Sequence, residues 1–395
     1  MKRTALYQHH RALGAKMTDF HGWEMPLYYT SILEEHKAVR QALGIFDISH
    51  MGQVLVTGDG ALAMLNRLLV SDISQVAEGR ACYTLMLNEQ GGILDDLIVY
   101  RIGSDDYLVI INCANRQSDF DWLQAHRHPQ ATVTSISEGR SMLAIQGPLA
   151  ARVLENLLDA RVSSLGRFGI APIRTMGPES CIARTGYTGS DGFELFVSDY
   201  HAQRLWDAIL EVATARSGGA IGLGARDTLR VEAALRLYGT DMDTTTSPLE
   251  AGLGWTVAMN KTEFIGKPAL VQQKQRGLVR QFVGFELAQG PIPRSGCELK
   301  ANDRKIGQVT SGTFSPTMNK PLGMGYVEPD FAKPGTTLTL TVRAQTYPAT
   351  VVKLPFWKAQ SLPVSPASGV SSGYRSAKAS DADVPSRCCP PAIEG

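Results

Sequence analysis

An α+β fold that ends in a small all-β unit is predicted for this 395-residue chain by three observations. Short strand patterns interrupted by two amphipathic helices fill residues 53–146. Two well-marked helices then sit among further strands between about 147 and 250. From about 280 onward only short strands remain, separated by turns such as Arg294-Ser295-Gly296 and Lys333-Pro334-Gly335, the pattern of a small barrel or sandwich. At roughly 100–200 residues per domain, the length allows two or three domains, each able to bury a core.

Each element rests on a local signal. Residues 1–50 read as helical with an irregular apolar loop. Ser31-Ile32-Leu33-Glu34 is a capping box, and Ile32, His36, Val39 and Leu43 keep helical spacing until Gly44 stops the helix. Strands are expected at 53–57, 81–87, 92–100, 107–112, 132–136 and 142–146. Helices are expected at about 61–69 and at 118–126, the latter opened by Ser118. Ala202, Leu205, Trp206, Ile209 and Ala213 form one apolar stripe of a later helix, closed by Gly218-Gly219. A second helix is expected from about Asp227 to Leu237, stopping at Gly239. Of the 38 residues from 358 to 395, 22 are Ser, Pro, Gly or Ala, a composition too poor in apolar groups to offset the entropy of ordering, so this tail is expected to be disordered.

Charge and cysteine usage narrow the function classes. With 39 basic and 38 acidic residues the chain has no electrostatic footprint for nucleic acid or an anionic membrane. No apolar run approaches the roughly 18 residues of a transmembrane helix. The N-terminus offers neither a secretory apolar core nor an Arg/Ser-rich transit peptide, so a cytoplasmic location is expected. Cysteines 82, 113, 181 and 297 stand singly, the habit of reduced thiols packed as small hydrophobes, and Cys388-Cys389 lies in the tail. Neither C-x-x-C nor H-E-x-x-H occurs and the histidines have no ligand spacing, so no metal site is expected.

Three segments could carry chemistry. In Gly92-Ile-Leu-Asp-Asp-Leu-Ile-Val-Tyr100 alternation places Leu94, Asp96, Ile98 and Tyr100 on one face and Ile93, Asp95, Leu97 and Val99 on the other, one carboxylate among aliphatics on each. A four-residue loop at 88–91 would set Tyr83 opposite Asp96; a five-residue loop would set Thr84 there. These acids are either tuned for binding or satisfy backbone groups near a strand end. Arg184-Thr-Gly-Tyr-Thr-Gly-Ser-Asp-Gly-Phe-Glu194 is a glycine-punctuated turn with Tyr187 at its tip. Taken alone, it reads as a plain hairpin whose Glu194 faces solvent. In Gly222-Leu-Gly-Ala-Arg226-Asp-Thr-Leu-Arg230 the third glycine of a dinucleotide fingerprint is missing. A turn opening a helix is the better reading, and Arg226 in the first turn opposes the helix dipole unless it holds an anion or a carboxylate; otherwise it is a surface arginine paired with Asp227 or Glu232. His50, in Phe46-Asp-Ile-Ser-His50-Met51-Gly, has no nucleophile elbow to serve and sits in a capped turn.

Together with Phe20-His-Gly-Trp-Glu-Met-Pro26 and Thr310-Ser-Gly-Thr-Phe-Ser-Pro316, these segments resemble, in order from about residue 3 to Phe356, the aminomethyltransferase (T-protein) family of the glycine cleavage system. The resemblance implies a three-domain cloverleaf around a central folate channel. In that layout residues 1–50 plus 140–275 form a discontinuous α+β domain, 51–139 form a sheet domain carrying the catalytic strand, and 280–357 form the C-terminal β-barrel. It also implies transfer of the methylene carbon of an aminomethyl group on lipoylated H-protein to tetrahydrofolate, with release of ammonia and without a metal; the P- and L-proteins act in the same pathway. By motif, Asp96 matches the catalytic aspartate and Glu194 and Arg226 the folate contacts. Met51, Tyr83, Tyr100, Asn112 and Tyr187 match pocket-lining positions. A pterin edge with clustered N–H donors suits Glu194, and its flat ring suits tyrosine walls. Family chains end in a short segment after the match to Lys353-Leu-Pro-Phe356 that can supply a polar side chain to the folate tail; nothing in 358–395 resembles it, so no C-terminal ligand is assigned. A folate-binding relative in iron–sulfur cluster assembly is the alternative, but its hallmark cysteine would fall near Phe264-Ile-Gly-Lys-Pro-Ala269, which has none. The folate domain of a flavin-dependent methylglycine dehydrogenase would need an additional FAD-binding domain, for which this chain has neither the fingerprint nor the length.

Overall fold

The computed structural model describes residues 1–158, 162–343 and 345–359; residues 360–395, and with them almost all of the tail expected to be disordered, lie outside the described residues. Among the described residues, three sheets and a hairpin carry the fold. A six-stranded sheet runs in the order Ile170–Pro172, Cys181–Ala183, Gly192–Ser198, Arg140–Gln146, Gly44–Asp47, Gly219–Ala220, antiparallel except for the last pair. A five-stranded antiparallel sheet runs Arg80–Leu87, Ile93–Arg101, Asp106–Ile111, Gly52–Thr57, Thr132–Ser135. The C-terminal strands close into a six-stranded barrel rather than a sandwich, because Gln281–Glu286 pairs on one side with Lys320–Val327 and on the other with Gln345–Val352.

Packing explains the layers. The helices Ala150–Leu158 and Asp199–Thr214 cover one face of the six-stranded sheet, and the expected stripe from Ala202 to Ala213 is wholly inside this core. Each large apolar side chain buried there contributes about 1.5–3 kcal/mol. The opposite face, with Phe46, Met142 and Phe196, packs on Leu55, Tyr100, Leu108 and Ile110 of the five-stranded sheet. Ala225 and Leu229 of the helix Leu223–Glu232 join the same cluster, so two sheets and one helix converge. The outer face of the five-stranded sheet is covered by Ala61–Leu68 and Arg116–Ala125. No helix among the described residues is long and apolar enough to cross a membrane.

Four local expectations need correction. Residues 1–50 contain, besides the helix Ile32–Gln41 with its capping box, an antiparallel hairpin of Lys16–Phe20 and Trp23–Tyr28. Its two-residue turn has His21 at φ 51° and Gly22 at φ 82°, a left-handed pair usually signalled by Asn-Gly or Asp-Gly. The helix expected at Asp227–Leu237 spans Leu223–Glu232, starting where Gly222 packs against the hairpin: a Cβ at Gly222 would come within 2.3 Å of the Leu27 carbonyl oxygen. The helix expected at 118 opens instead at Arg116, after a 3-10 turn at Cys113–Asn115, and the Ser118 hydroxyl donates to the Asn115 carbonyl. Finally, Leu85 lies opposite Asp96, not Tyr83 or Thr84. A bulge at Leu94 lets two residues face one and reverses the strand's first residues. Ile93 packs with Leu85 and Leu87, while Leu94 packs with Leu97 and Val99.

Candidate functional site

The strand Ile93–Arg101 sets two carboxyls side by side. Asp96 shares a strand face with Ile98 and Tyr100, and there Tyr83 Oη donates to its Oδ2 at 3.0 Å and Asn112 Nδ2 donates to its Oδ1 at 2.8 Å. Tyr83 reaches it diagonally, two residues from Leu85 on the neighbouring strand. Asp95 points the other way and accepts from the Asn112 backbone N–H at 3.1 Å and from Asn112 Nδ2 at 2.8 Å. The two readings of this acid pair therefore divide. Asp95 satisfies the Asn112 backbone N–H at a strand end, whereas each oxygen of Asp96 accepts from a side chain. Burial, reinforced by the neighbouring charge of Asp95, pushes the Asp96 carboxyl up to about 7.

A second group gathers around Glu194. Far from facing solvent, Glu194 is 7% exposed, in the middle of the strand Gly192–Ser198. Thr185 Oγ1 donates to its Oε2 at 2.5 Å, and Tyr100 Oη donates to the same oxygen at 3.4 Å. Burial raises its carboxyl above the ordinary range. The turn that presents it is pinned by Gln146, whose amide donates to the Thr185 carbonyl at 3.1 Å and accepts from Thr188 Oγ1 at 2.9 Å. A Cβ at Gly186 would meet Gln146 Oε1 at 2.0 Å and push that amide off its partners. Arg184 and Asp191 close the base of the turn with two hydrogen bonds of 2.9 and 2.7 Å.

Arg226 has neither of the partners its surface reading would give it: Asp227 pairs with Arg230, and Glu232 with Arg40. Among the described residues no hydrogen bond or ion pair holds its guanidinium, which lies over the Tyr187 ring at 4.7 Å from the centroid. Burial lowers its proton affinity, partly offset by the phenol of Tyr187 and the charge of Glu194 nearby. An arginine so placed has five N–H donors and no protein acceptor, the state expected of a group that meets a ligand. Tyr187 Oη is spent on the Arg236 carbonyl, leaving its ring as a wall.

The sequence-predicted residues thus fall into one place. Tyr83, Asp96 and Asn112 form one hydrogen-bonded group, and Tyr100 links the same sheet face to Glu194. Tyr187 and Arg226 stack beside them, and Met51 packs on the cluster containing Tyr100 and Ala225. Sequence reasoning missed Thr185, Asp119 and Trp255; the last is 72% exposed and stacks on Tyr83 at 6.0 Å. Only Thr185 had a signal, its place beside the glycines of the turn. His50 is buried, its imidazole pushed down to about 3 by burial and by Arg226, so it stays neutral. Asp47 caps its turn by accepting from the Ser49 N–H at 2.9 Å. No group of three His, Cys, Asp or Glu side chains that could hold a metal ion occurs among the described residues.

This chain is similar to known proteins over nearly all of its described length. The family profile described as the GCVT N-terminal domain matches residues 6–261, and that of the glycine cleavage T-protein C-terminal barrel domain matches residues 280–358. An aminomethyltransferase of Halothermothrix orenii is 46% identical over 356 residues, covering 90% of this chain and 100% of the relative. One from Thermotoga maritima is 42% identical over 360 residues, covering 91% and 98%. The crystal structure of the glycine cleavage system aminomethyltransferase T from Bartonella henselae superimposes with a TM-score of 0.85 at 35% identity, covering 90% of this chain and 98% of that one.

Proposed function

Since the chain belongs to the glycine cleavage T-protein family and is an aminomethyltransferase of the glycine cleavage system, we propose that the space between Asp96, Glu194 and Arg226 is where its one-carbon transfer takes place. Family membership implies use of tetrahydrofolate and an interaction with the H-protein. The finer reading is that the chain takes the methylene carbon of an aminomethyl group on lipoylated H-protein and passes it to tetrahydrofolate. Ammonia and dihydrolipoyl H-protein are the other products, and the P- and L-proteins act before and after it.

The residues present fit a reduced pterin. Glu194 is an acceptor with no cation bound to it, suited to the N–H edge of a pterin, and the unpaired Arg226 guanidinium suits an oxygen acceptor on the same ring. Tyr187 supplies a flat wall and Met51 an adaptable one, while the wholly buried Tyr100 acts through its hydroxyl on Glu194. Tetrahydrofolate, when bound, supplies the amine nitrogen that takes up the one-carbon unit. The protein's part is to hold a negative charge where positive charge develops. Asp96 does so with both oxygens fixed, one by Tyr83 and one by Asn112, so no reorganisation is needed during the transfer.

The observation that carries this reading is Asp96 itself: a half-buried carboxyl between two donors, on the sheet face that also bears Tyr100. Ammonia release from aminomethyl-lipoyl H-protein, stimulated by tetrahydrofolate, is the expected outcome of mixing the components. Absence of that stimulation would overturn the assignment. Because Asp96 works as the anion and its carboxyl stands near 7, kcat should fall as pH drops through about 7 and level off above it.

A further inference from the structure

Behind the Asp95–Asp96 pair stands a third carboxyl with no role in the reading above. Asp119, in the first turn of Arg116–Ala125, is 3% exposed, and Asp95 is wholly buried. The two side chains meet carboxyl to carboxyl, in hydrogen-bonding contact. Two carboxylates have only acceptors, so such a contact requires a proton between them. Asp119 Oδ2 is buried and reached by no donor, which an ionised carboxylate would tolerate poorly. Its place in a helix first turn favours the anion by only about 0.3–1 kcal/mol, less than the cost of a third charge beside two others.

The other ends of the chain are also fixed. Asp95 accepts twice from Asn112, and the Asn112 amide passes on to Asp96 Oδ1 at 2.8 Å and to the Asp96 carbonyl at 3.1 Å. An asparagine amide can flip; here an ionised Asp95 dictates that Nδ2, not Oδ1, faces both acids. The groups that act on this row are Tyr83, Tyr187 and Tyr238, with Arg236 acting on Tyr83. None is a cation paired with any of the three carboxyls.

We propose that Asp119 is a positioning residue: it holds a proton and donates it to Asp95, which stays an anion and through Asn112 holds Asp96 in its working orientation. This rests on the reading of Asp96 as the catalytic carboxylate. The proton stays in place through the reaction; nothing is transferred to substrate. Burial and the charges of Asp95 and Asp96 agree, pushing the Asp119 carboxyl up to about 10.

The test compares Asp119→Asn, which keeps a donor toward Asp95, with Asp119→Ala, which removes it. Losing the donor raises the affinity of the Asp95/Asp96 pair for a proton, so the acid limb of the kcat profile should move to higher pH. Asp119→Ala is expected to move that limb up by about one pH unit and so to lower kcat about fivefold at pH 7, recovering in alkali, with folate affinity within about twofold of the native protein. Asp119→Asn should retain the native limb. Infrared spectra of the folded protein at pH 8 should contain a carboxylic-acid C=O band that Asp119→Asn abolishes and Asp96→Asn does not. An unmoved limb in Asp119→Ala, or a band indifferent to Asp119→Asn, overturns the proposal. Asp96→Asn is measured alongside: if it leaves kcat unchanged, the reading of Asp96 is what has failed.

Discussion

At the scale of residues, the site is built from side chains whose burial is opposed by their charge. Glu194 has two hydroxyl donors and no cation, and Arg226 has an aromatic face and no anion. Each is left short of partners that a ligand would supply. Glu194→Gln should weaken folate binding about 10–100-fold, the worth of about 1.5–3 kcal/mol for a hydrogen bond to a charged group, as measured by fluorescence or calorimetric titration. Its melting temperature should not fall, because the carboxylate it replaces is itself raised in energy by burial. Asp96, Glu194 and Arg226 were singled out in the sequence only through the ordered motifs around them; read alone, Glu194 was expected to face solvent, and it is buried. Asp119 was not singled out: an acid in a helix first turn reads as an ordinary dipole partner, and its contact with Asp95 depends on how a helix lies across a sheet.

At the scale of elements, the position of Arg226 depends on how closely the helix Leu223–Glu232 approaches the hairpin strand Trp23–Tyr28. The Gly222 N–H donates to Glu35 Oε2 at 2.7 Å, and its missing side chain allows the contact with Leu27. Gly222→Ala forces backbone apart and should cost about 1–3 kcal/mol in chemical denaturation, with a weaker folate affinity as the helix start shifts. Most strands and the long helix Asp199–Thr214 were legible from periodicity, because a half-buried face leaves its period in the sequence. The hairpin at 16–28 was not, since His21 occupies a turn position where asparagine is the usual signal. The pairing of Asp96 was hidden for a different reason: the bulge at Leu94 adds a residue without changing the alternation that follows it.

At the scale of the whole molecule, the barrel is bolted to the helix that carries Arg226. Glu232 accepts from Arg40 Nη2 at 2.9 Å, from the Thr317 N–H at 3.2 Å and from Thr317 Oγ1 at 3.0 Å, with His36 Nε2 at 3.2 Å. Burial would raise this carboxyl, but His36, Ser315 and Arg40 prevail and hold it at about 2 against an ordinary 4.5. Its stabilising contribution is therefore complete above pH 4.5 and lost as pH falls toward about 2. Glu232→Gln should cost about 3–5 kcal/mol at neutral pH and flatten the acid limb of stability, read by urea unfolding at stepped pH. A small closed unit after residue 280 was foreseeable from its turn spacing; its bolt to the rest joins residues some 80 to 280 positions apart, which no local pattern records. The barrel, the two sheets and the helix together make Asp96 a fixed charge rather than a mobile one. Single-turnover transfer from aminomethyl-lipoyl H-protein by Asp96→Asn tests that most directly. A folded variant that binds folate normally but transfers at least about a hundredfold more slowly is predicted; a native transfer rate would contradict it.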